Sequence, residues 1–343
     1  MTILRLKYGE NPWQEDAEYK QNPYRKDDPL ALHQFGLMEG KEPSYNIFTD
    51  LDRALQTITH IAAAFSRNLD RVSAIAVGIK HGNPCGAAIA DDPREALRLM
   101  IEGDPLSLFG GFVITNFSIG ERMADLLSGY PFTQLKARRI LDGIAAPDFE
   151  SEAKKILSRK DGKCRMFANP ALTELHEQPL DLKPRIRYVR GGMLVQQNYT
   201  YVLDLDDAEL QITGKILEYD DRDFILAWAI GSTSNSNTIT LVKNGKLIGN
   251  GVGQQDRVGA CKLAVERAQR SGHDIAGALA YSDSFFPFTD GIDVLADAGV
   301  KIIFTSRRSN HLKRDAEIAE QCNKRGIVLW TLPDAKCRGF FGH

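Results

Sequence analysis

Residues 72–86 read VSAIAVGIKHGNPCG and combine two different signals. The first eight residues form an apolar, β-branched run, which is typical of a strand buried on both faces of a sheet. The run ends directly at Lys80 and His81, and the residues after them, GNPCG, are rich in turn formers. We therefore expect a buried strand that delivers a lysine and a histidine to the edge of a sheet.

Helical patterns flank this strand on both sides. Apolar residues recur at helical spacing from Asp50 to Arg67, with Asp50 as the expected N-cap, and Asp92–Glu102 is a second expected helix. Further along, Phe112–Thr115 and Arg139–Gly143 have strand character, with a helix near Glu121–Leu127. Alternating strands and helices indicate an α/β fold with a mostly parallel sheet, in which ligands bind beyond the carboxyl ends of strands.

The second half of the chain repeats this alternation. A shift to Pro, Glu, Gln and Lys around Thr173–Arg187 predicts a boundary between a first domain with an N-terminal arm, 1–187, and a second domain, 188–343. The elements expected in the second domain are the helices Asp221–Ile230 and Arg257–Arg270, the strands Thr238–Val242, Leu247–Ile248 and Ile275–Tyr281, and a type I′ turn at Asn244-Gly245. Both halves place a strand before a distinctive loop, which suggests duplication of one α/β unit.

Composition and charge exclude several classes of function. The chain has 343 residues and a net charge of -2, so no global basic field favours nucleic acid or an anionic membrane. No segment approaches the ~18–20 apolar residues of a membrane helix, and the N-terminus lacks the features of a secretory signal. The five cysteines are scattered without a C-x-x-C pair, which predicts a cytoplasmic location and no disulfide framework or zinc ribbon.

Two loops contain candidate functional residues, each with a structural alternative. Lys80 and His81 would be partly desolvated at a strand end, which favours the neutral amine useful in proton transfer, although a solvated surface turn is the commoner case. The segment Ser282–Asp290 has three Phe, which either fill the core or line a slot for a flat ring. Asp283 and Asp290 flank that segment and suit recognition of an aminopyrimidine edge.

Two further loops are ambiguous. Gly249–Arg257 is glycine-rich before an expected helix, which suits either an anion at the helix N-terminus or a tight hairpin exit. Leu6–Gln14 reads LKYGENPWQ, a composition that is unusual for a flexible tail. This segment either packs against the rest of the protein or contacts a ligand. The H-x-E and P-C-x-x-C motifs of zinc deaminases are both absent, so no catalytic metal is expected.

Seven segments, taken together, resemble the aminoimidazole carboxamide ribonucleotide (AICAR) formyltransferase family, which in most members is the C-terminal half of a bifunctional purine-biosynthesis protein. They occur in order along essentially the whole chain and are LKYGENPWQ (6–14), IKHGNPCGAA (79–88), SLFGGFVIT (107–115), LDGIAAPDFE (141–150), GVGQQDR (251–257), SDSFFPFTDGID (282–293) and CRGFF (337–341). The resemblance implies two cytidine-deaminase-like α/β/α domains without zinc. It also implies a homodimer in which each active site is shared between subunits.

The implied reaction transfers the formyl group of 10-formyltetrahydrofolate to the amine of AICAR, giving formyl-AICAR in de novo purine (IMP) biosynthesis. His81 would bind the carboxamide and help to draw a proton from the amine, and Lys80 would assist proton transfer as the folate nitrogen leaves. Asn237 would hydrogen-bond the formyl oxygen as it becomes an oxyanion. The positions that match ribonucleotide-binding residues of the family are Lys7, Tyr8, Phe109, Gly110, Asp142, Arg257, Phe285 and Arg338. The positions that match folate-binding residues are Val258, Phe288, Asp290, Ser309 and Asn310. The resemblance implies no metal and leaves binding of a monovalent cation open.

The chain departs from the family at several positions. Lys7 stands where Arg is usual, so the expected phosphate contact keeps its charge and loses bidentate geometry. Trp13 replaces a usual His, Gly231-Ser232 replace a common Lys, and the span from Arg257 to Ser282 is shorter than in common members. The cyclohydrolase half has no counterpart in the sequence, so a separate IMP cyclohydrolase is expected as a partner.

Two other functions stay open at this point. One is a non-catalytic protein that binds folate or a purine nucleotide, and the other is a formyltransferase that uses formate and ATP on the same substrate. The absence of a P-loop disfavours the second. No basic stripe supports a nucleic-acid-binding module. The expected partners are therefore small-molecule substrates and a second copy of the chain, with neither nucleic acid nor membrane.

Overall fold

A computed structural model of the chain describes residues 3–22, 27–69, 72–129, 138–177, 180–215, 218–308, 312–339 and 341–342. The first half contains, in order, β1 (Ile3–Arg5), β2 (Glu18–Lys20), β3 (Gly36–Glu39), α1 (Tyr45–Asn68), β4 (Ala74–Lys80), β5 (Asn83–Ala90), α2 (Pro93–Gly103), β6 (Phe112–Thr115), α3 (Glu121–Gly129), β7 (Gly143–Ala146), α4 (Ser151–Leu157) and β8 (Arg165–Ala168).

The second half continues with β9 (Arg185–Val189), β10 (Gly192–Gln196), β11 (Gln211–Thr213), α5 (Asp221–Ser232), β12 (Ile239–Lys243), β13 (Lys246–Gly251), α6 (Arg257–Arg270), β14 (Leu279–Ser282), α7 (Asp290–Asp297), β15 (Ile302–Arg307), α8 (Leu312–Arg325), β16 (Val328–Pro333) and α9 (Asp334–Cys337). Among the helices that the structure describes, none combines the length and apolar composition needed to cross a bilayer.

One large sheet runs through both halves. In the described residues its strand order is β11-β16-β15-β14-β12-β13-β5-β4-β6-β7-β8-β3. The halves join where β13 pairs antiparallel with β5, with Lys246 opposite Ala88. Four neighbouring pairs, β6–β7, β7–β8, β14–β15 and β15–β16, are parallel, and the other neighbouring pairs are antiparallel. The fold is α/β as predicted, but the expectation of a mostly parallel sheet is wrong.

The same order of elements occurs twice. The first copy is β3-α1-β4-β5-α2-β6-α3-β7-α4-β8 and the second is β11-α5-β12-β13-α6-β14-α7-β15-α8-β16. Read outward from the central β5–β13 junction, equivalent strands occupy equivalent places in the sheet. The deaminase-like ancestry of this repeat stays a prediction, as does the domain boundary at 187/188, which falls within β9.

Helices cover both faces of the sheet. Helices α1 and α5 contact each other on one face, above a core shared by the two halves. The other face has two separate cores, one under α2 and α3 and one under α6 and α7. In β4 the side chains alternate between these layers, because Ile75 and Val77 join the shared core while Ala76 joins the first separate core. The apolar run of β4 is therefore buried on both faces, as predicted.

Several local predictions are confirmed. The helix expected at Asp92–Glu102 is α2 (Pro93–Gly103), and Asp92 caps it by accepting a hydrogen bond of 3.0 Å from the backbone N–H of Arg94. Helix α6 and strand β6 have the predicted bounds. Asn244 and Gly245 have φ values of 55° and 68°, as the predicted type I′ turn requires.

Other local predictions are wrong. Helix α1 begins at Tyr45, so Asp50 lies inside the helix and does not cap it. Residues 83–90 form strand β5 where a turn-rich loop was expected, because Asn83, Pro84 and Gly86 mask the strand pattern. The expected strand Arg139–Gly143 begins four residues later, at Gly143. Strand β14 likewise begins at Leu279 instead of Ile275.

Candidate active site

A two-residue turn places Lys80 and His81 at the end of the β4–β5 hairpin. Strand β4 ends at Lys80, and Lys80 pairs with Asn83, the first residue of β5. Between them, His81 and Gly82 have φ values of 50° and 68°, the left-handed conformation that a type I′ turn requires at both positions. His81 is exposed there. The turn therefore presents the imidazole to solvent beside the lysine.

Backbone oxygens hold the Lys80 ammonium. It donates hydrogen bonds to the carbonyl of Phe109 at 2.9 Å and to that of Gly110 at 2.7 Å. At position 110 a Cβ atom would lie 2.9 Å from Lys80 Nζ, so glycine leaves room for the ammonium. A lysine has three N–H donors, so one donor remains for a ligand.

Asp50 supports the turn from inside α1. Its carboxylate accepts a hydrogen bond of 2.8 Å from the backbone N–H of Gly82. Burial raises the pKa of the Asp50 carboxyl group, while the Gly82 amide and the charges of His81 and Lys80 act in the opposite direction. This support of the turn by Asp50 was not predicted from the sequence. The available signal was a carboxylate within an otherwise apolar helical pattern.

Asp142 lies at the same place, just before β7. Its Oδ1 accepts a hydrogen bond of 2.7 Å from Arg159, and its Oδ2 lies 3.9 Å from the Cβ position of Gly110. Its charge is also one of those that act on Asp50. We call this group the hairpin cluster; it comprises Asp50, Lys80, His81, Gly110 and Asp142.

Asn237 is fixed in orientation by its neighbours. Its Oδ1 accepts a hydrogen bond of 3.0 Å from Arg257, and its Nδ2 donates one of 2.9 Å to the carbonyl of Gln254. Because arginine only donates, the amide oxygen must face Arg257. The second N–H of the amide is left for a ligand.

Arg257 is itself held by a buried ion pair with Asp283, whose side chain is fully buried. It also donates a hydrogen bond of 3.2 Å to the carbonyl of Thr238. Asp283 therefore faces the interior of the protein and orients Arg257. The expectation that Asp283 recognises an aminopyrimidine edge is wrong, because the ion pair removes its carboxylate from the surface.

A cavity of about 370 Å³ adjoins Asn237 and Arg257, and we call it the aromatic pocket. Its volume falls in the range of small-molecule sites. The predicted site residues that line it are Asn237, Arg257, Val258, Phe285, Phe288, Asp290 and Arg338. Phe286 between them is buried in the core. The Phe-rich loop therefore contributes Phe286 to the core and Phe285 and Phe288 to the wall of a cavity, while binding of a flat ring there stays a prediction.

Cations surround the rings of this pocket. The guanidinium carbon of Arg308 lies 3.6 Å from the Phe285 ring centroid, and that of Arg338 lies 6.0 Å from it. The guanidinium carbon of Arg314 lies 5.2 Å from the ring centroid of Phe288. The pocket thus combines flat apolar surfaces with positive charge at its rim.

The N-terminal arm docks on the start of α1, as predicted. The backbone N–H of Lys7 donates to the carbonyl of Pro43 at 2.9 Å, and that of Tyr45 donates to the carbonyl of Tyr8 at 3.0 Å. The Lys7 ammonium lies 5.6 Å from the ring centroid of Tyr8. Ligand contact by Lys7 and Tyr8 stays a prediction.

Hydrogen bonds between loops join the hairpin cluster to the aromatic pocket. Asn83, next to the turn, accepts a hydrogen bond of 3.0 Å at Oδ1 from the backbone N–H of Asn235, two residues before Asn237. In the described part of the chain, the walls of the aromatic pocket include neither Lys80 nor His81. The two groups of predicted residues therefore lie on adjoining loops, and the single chain does not bring them into one cavity.

The C-terminal segment buttresses the Asn237 loop. The Phe341 N–H donates to the carbonyl of Ser234 at 2.9 Å, and the Ser236 N–H donates to that of Gly342 at 3.0 Å. The Phe341 ring lies between two guanidinium groups, with the carbon of Arg53 at 4.3 Å and that of Arg185 at 3.6 Å from its centroid. These contacts could not be predicted from local sequence patterns, because they join segments far apart in the chain.

The glycine-rich segment before α6 packs the helix against the sheet. Gly249 and Gly251 belong to β13, and a Cβ atom at Gly251 would lie 2.1 Å from the carbonyl oxygen of Ala260. Gly253 follows β13 with a φ of 65°, which fits the expected hairpin exit, and the anion site stays a prediction. The predicted folate contacts Ser309 and Asn310 lie outside the described residues. Within the described ranges, no group of three His, Cys, Asp or Glu side chains is arranged to hold a metal ion.

Comparison with known proteins points to a single family. The model of the family described as "AICARFT/IMPCHase bienzyme" matches residues 2–267. The chain is 36% identical over 334 residues to the bifunctional purine biosynthesis protein PurH of Anoxybacillus flavithermus, covering 96% of this chain and 58% of that protein. It is 32% identical over 332 residues to PurH of Aquifex aeolicus, covering 95% of this chain and 58% of that protein.

A solved structure of a diaminohydroxyphosphoribosylaminopyrimidine deaminase/5-amino-6-(5-phosphoribosylamino)uracil reductase from Thermotoga maritima also matches, at 21% identity. That match covers 29% of this chain and 31% of the other, with a TM-score of 0.21, which is too low to relate the folds. The chain spans little more than half the length of the PurH relatives. The match over residues 2–267 shows that the chain belongs to the AICARFT/IMPCHase bienzyme family.

Proposed function

We propose that the chain transfers the formyl group of 10-formyltetrahydrofolate to the amine of AICAR, in purine biosynthesis. The observation that carries the proposal is the pair of free, oriented donors on adjoining loops, one on Lys80 and one on Asn237. The family match and the similarity to PurH, a bifunctional purine biosynthesis protein, support a role in purine biosynthesis.

The hairpin cluster would act on the attacking amine and on the leaving nitrogen. The amine attacks the formyl carbon and loses a proton, and the bond from that carbon to the folate nitrogen breaks as the nitrogen is protonated. The exposed imidazole of His81 is suited to bind the carboxamide and accept the proton of the amine. Lys80, held as a donor by two carbonyls, is suited to give a proton to the leaving nitrogen.

Asn237 would stabilise the charge that develops on the formyl oxygen. Arg257 and the carbonyl of Gln254 hold its side chain in one orientation before the substrate binds. A donor fixed in advance costs no reorganisation during the reaction, and this is why such donors lower barriers strongly. Arg257, fixed by Asp283, sets this orientation.

The aromatic pocket fits a folate. Phe285 and Phe288 offer flat apolar surfaces for its ring system, and Asp290 at the rim offers a carboxylate that can accept N–H donors of an aminopyrimidine. The arginines around the rings suit the carboxylates of the folate tail. Arg338 and Lys7 are the proposed contacts of the AICAR phosphate, while Phe109, Gly110 and Asp142 border the ribonucleotide beside Lys80.

We infer that the active protein is a homodimer with shared active sites. The β9–β10 hairpin pairs only with itself in the described residues. On one face it exposes the cross-strand pairs Ile186–Val195 and Tyr188–Met193, each residue more than 60% exposed. An isolated two-stranded hairpin is marginal in water, so an apolar face of this kind needs a cover. Arg185 anchors the hairpin to Phe341 and so to the Asn237 loop.

The five cysteines are free and buried, which fits the proposed cytoplasmic location. Cys85 lies close to the turn, but burial raises the pKa of its thiol to about 12. The thiol therefore stays protonated at neutral pH and is not a nucleophile in the proposed reaction.

A direct assay tests the proposal. The purified chain is mixed with 10-formyltetrahydrofolate and AICAR, without ATP, and formation of tetrahydrofolate is followed by absorbance. We expect turnover that Lys80→Ala nearly abolishes while AICAR still binds. Tight binding of both ligands without turnover would favour the non-catalytic alternative. Turnover that needs formate and ATP would favour the other.

A further inference from the structure

A second cavity lies between α1, the N-terminal arm and the segment that leads into β9. Its volume is about 330 Å³, enough for a small organic molecule. The polar residues on the face that α1 contributes are Asp52, Gln56 and Thr59. None of the residues of the hairpin cluster or the aromatic pocket lines this cavity.

Two polar side chains on α1 face this cavity without partners. Asp52 and Gln56 are four residues apart and therefore share one face of the helix. Within the part of the chain that the structure describes, the Asp52 carboxylate makes no hydrogen bond or ion pair, and the Gln56 carboxamide makes no hydrogen bond. Gln56 is only 9% exposed. The Gln56 amide opens onto the cavity, so a ligand there can supply the hydrogen bonds that the protein does not.

The nearest cations do not neutralise Asp52 by contact. Arg53 is engaged with the Thr233 carbonyl and with Asn235 Oδ1 at 3.1 Å, and Arg185 donates to the Phe341 carbonyl at 2.6 Å. Their charges act on Asp52 only from a distance, and burial raises the pKa of its carboxyl group. The unpaired Asp52 carboxylate therefore lowers the free energy of unfolding of the free protein. Destabilising groups of this kind are typical of binding sites.

Two other carboxylates of the cavity accept hydrogen bonds from the backbone. Asp28 accepts a hydrogen bond of 3.0 Å from the Leu30 N–H, and Asp181 accepts one of 2.9 Å from the Lys183 N–H. Tyr19 contributes an aromatic ring to the wall. Lys20, at the rim, is paired with Glu18 at 3.2 Å. Lys183 also lines the cavity, so side chains of both signs surround it, and Asp52 is the group that favours a cationic ligand.

We propose that this cavity is a binding site for a small molecule that carries a guanidinium group. A carboxylate accepts two parallel N–H bonds from a guanidinium, and the Gln56 carbonyl oxygen can accept a further one from the same planar group. The Tyr19 ring offers a face to the delocalised cation. A primary ammonium lacks this planar set of donors and satisfies the pair less well.

Isothermal titration calorimetry of the full chain with agmatine and with methylguanidine tests the site. We expect both to bind at neutral pH, and putrescine, which has ammonium groups only, to bind more weakly. Asp52→Asn should weaken agmatine binding roughly ten- to hundredfold, because a charge-assisted bidentate contact is lost. Gln56→Leu should weaken it less. Glu266→Gln, which changes an exposed carboxylate on α6, is the matched control and should bind agmatine like the wild type.

Thermal unfolding of the same variants shows whether they are folded. Asp52→Asn keeps the shape of the side chain and removes an unpaired charge, so its melting temperature should equal or exceed that of the wild type. The proposal is overturned if neither guanidinium compound binds at about 10 mM, a concentration that detects even millimolar affinity. It is also overturned if Asp52→Asn binds agmatine as tightly as the wild type, or if putrescine binds more tightly. None of these readouts depends on formyl transfer.

Discussion

At the scale of single residues, Lys80 and Asn237 of the candidate site make most of their hydrogen bonds within the protein. Each keeps one N–H donor for a ligand. Lys80 donates two hydrogen bonds to backbone carbonyls, and Asn237 donates one to the carbonyl of Gln254. Each partner fixes an orientation, since carbonyls only accept and Arg257 only donates. What remains is a single N–H with a set direction on each residue, which is the requirement for recognising a developing charge.

Removing the free donor of Asn237 should therefore affect the rate far more than the fold. We expect Asn237→Ala to lower kcat for formyl transfer by about 10²- to 10³-fold, the usual cost of an oxyanion donor. Arg257 keeps Asp283 and the Thr238 carbonyl as partners, so the melting temperature should change little. Steady-state kinetics check the rate, with Asn323→Ala, an exposed position on α8, as the control. A loss of less than threefold at unchanged KM (roughly 0.6 kcal/mol) would contradict the role of Asn237.

Asp50 should make stability depend on pH in a defined direction. Because the pKa of its carboxyl group is raised in the fold, the folded chain keeps a proton that the unfolded chain has already released. The free energy of unfolding should therefore fall as the pH rises from about 4 through the raised pKa. Asp50→Asn keeps an acceptor for the Gly82 N–H and removes this contribution. Urea unfolding across that pH range should show that the free energy of unfolding of the variant increases relative to that of the wild type as the pH rises. If the two free energies change with pH in parallel, the pKa of Asp50 is not raised in the fold.

At the scale of elements, close approach of helix and strand is set by glycines that the sequence presents as loop residues. Gly86 in β5 packs on α2, and Gly251 in β13 packs on α6, the corresponding strand and helix of the second half. A Cβ atom at either would meet a backbone carbonyl oxygen, at 2.4 Å and 2.1 Å respectively. The backbone of a helix cannot move aside as a flexible side chain does.

Gly251→Ala should consequently destabilise the protein. We expect a loss of about 1–3 kcal/mol of unfolding free energy, because α6 must shift away from the sheet. Gly129→Ala, at the end of α3 where a Cβ atom meets nothing within 4 Å, is the control and should be neutral or slightly stabilising. Thermal or urea unfolding measures both. Equal stability of the two variants would show that α6 does not pack as described.

Elements with an uninterrupted local pattern were predictable, and those whose pattern is broken were not. The apolar run of β4 and the capped helix α2 follow from their own residues. Strand β5 does not, because its early residues are typical of turns and its pairing with β4 and β13 is what makes it a strand. The start of α1 was also missed, because Asp50 has the side chain typical of an N-cap, although Ile47 and Phe48 before it already belong to the buried face of the helix.

At the scale of the whole molecule, the candidate site lies beside the junction of two repeated halves. The β4–β5 turn comes from the first half and the Asn237 loop from the second, and Asn83 joins them through Asn235. Family resemblance could name the residues of both groups, but neither spacing nor periodicity could show how they meet, because about 150 residues separate them. The support from the C-terminal Phe341 was hidden for the same reason.

The apolar face of the β9–β10 hairpin should control assembly. We expect the wild type to be a dimer and Tyr188→Asp to shift it towards monomer, because the charge would be buried in the interface. Formyl transfer should fall together with the dimer fraction if the sites are shared. Light scattering after size-exclusion chromatography measures the mass. Tyr45→Asp changes another exposed tyrosine, outside the hairpin, and should stay dimeric. A fully active monomer would contradict the shared site.

The hairpin cluster and the aromatic pocket should act on the same pair of substrates. A crystal structure with AICAR and a non-reactive folate analogue bound together tests it most directly. We predict that the AICAR amine lies within hydrogen-bonding distance of Lys80 or His81 and that the analogue ring lies against Phe285 and Phe288 beside Asn237, in one site built from one subunit or from two. If AICAR binds away from Lys80 and His81, or if the two ligands occupy separate cavities, the hairpin cluster and the aromatic pocket do not form one active site.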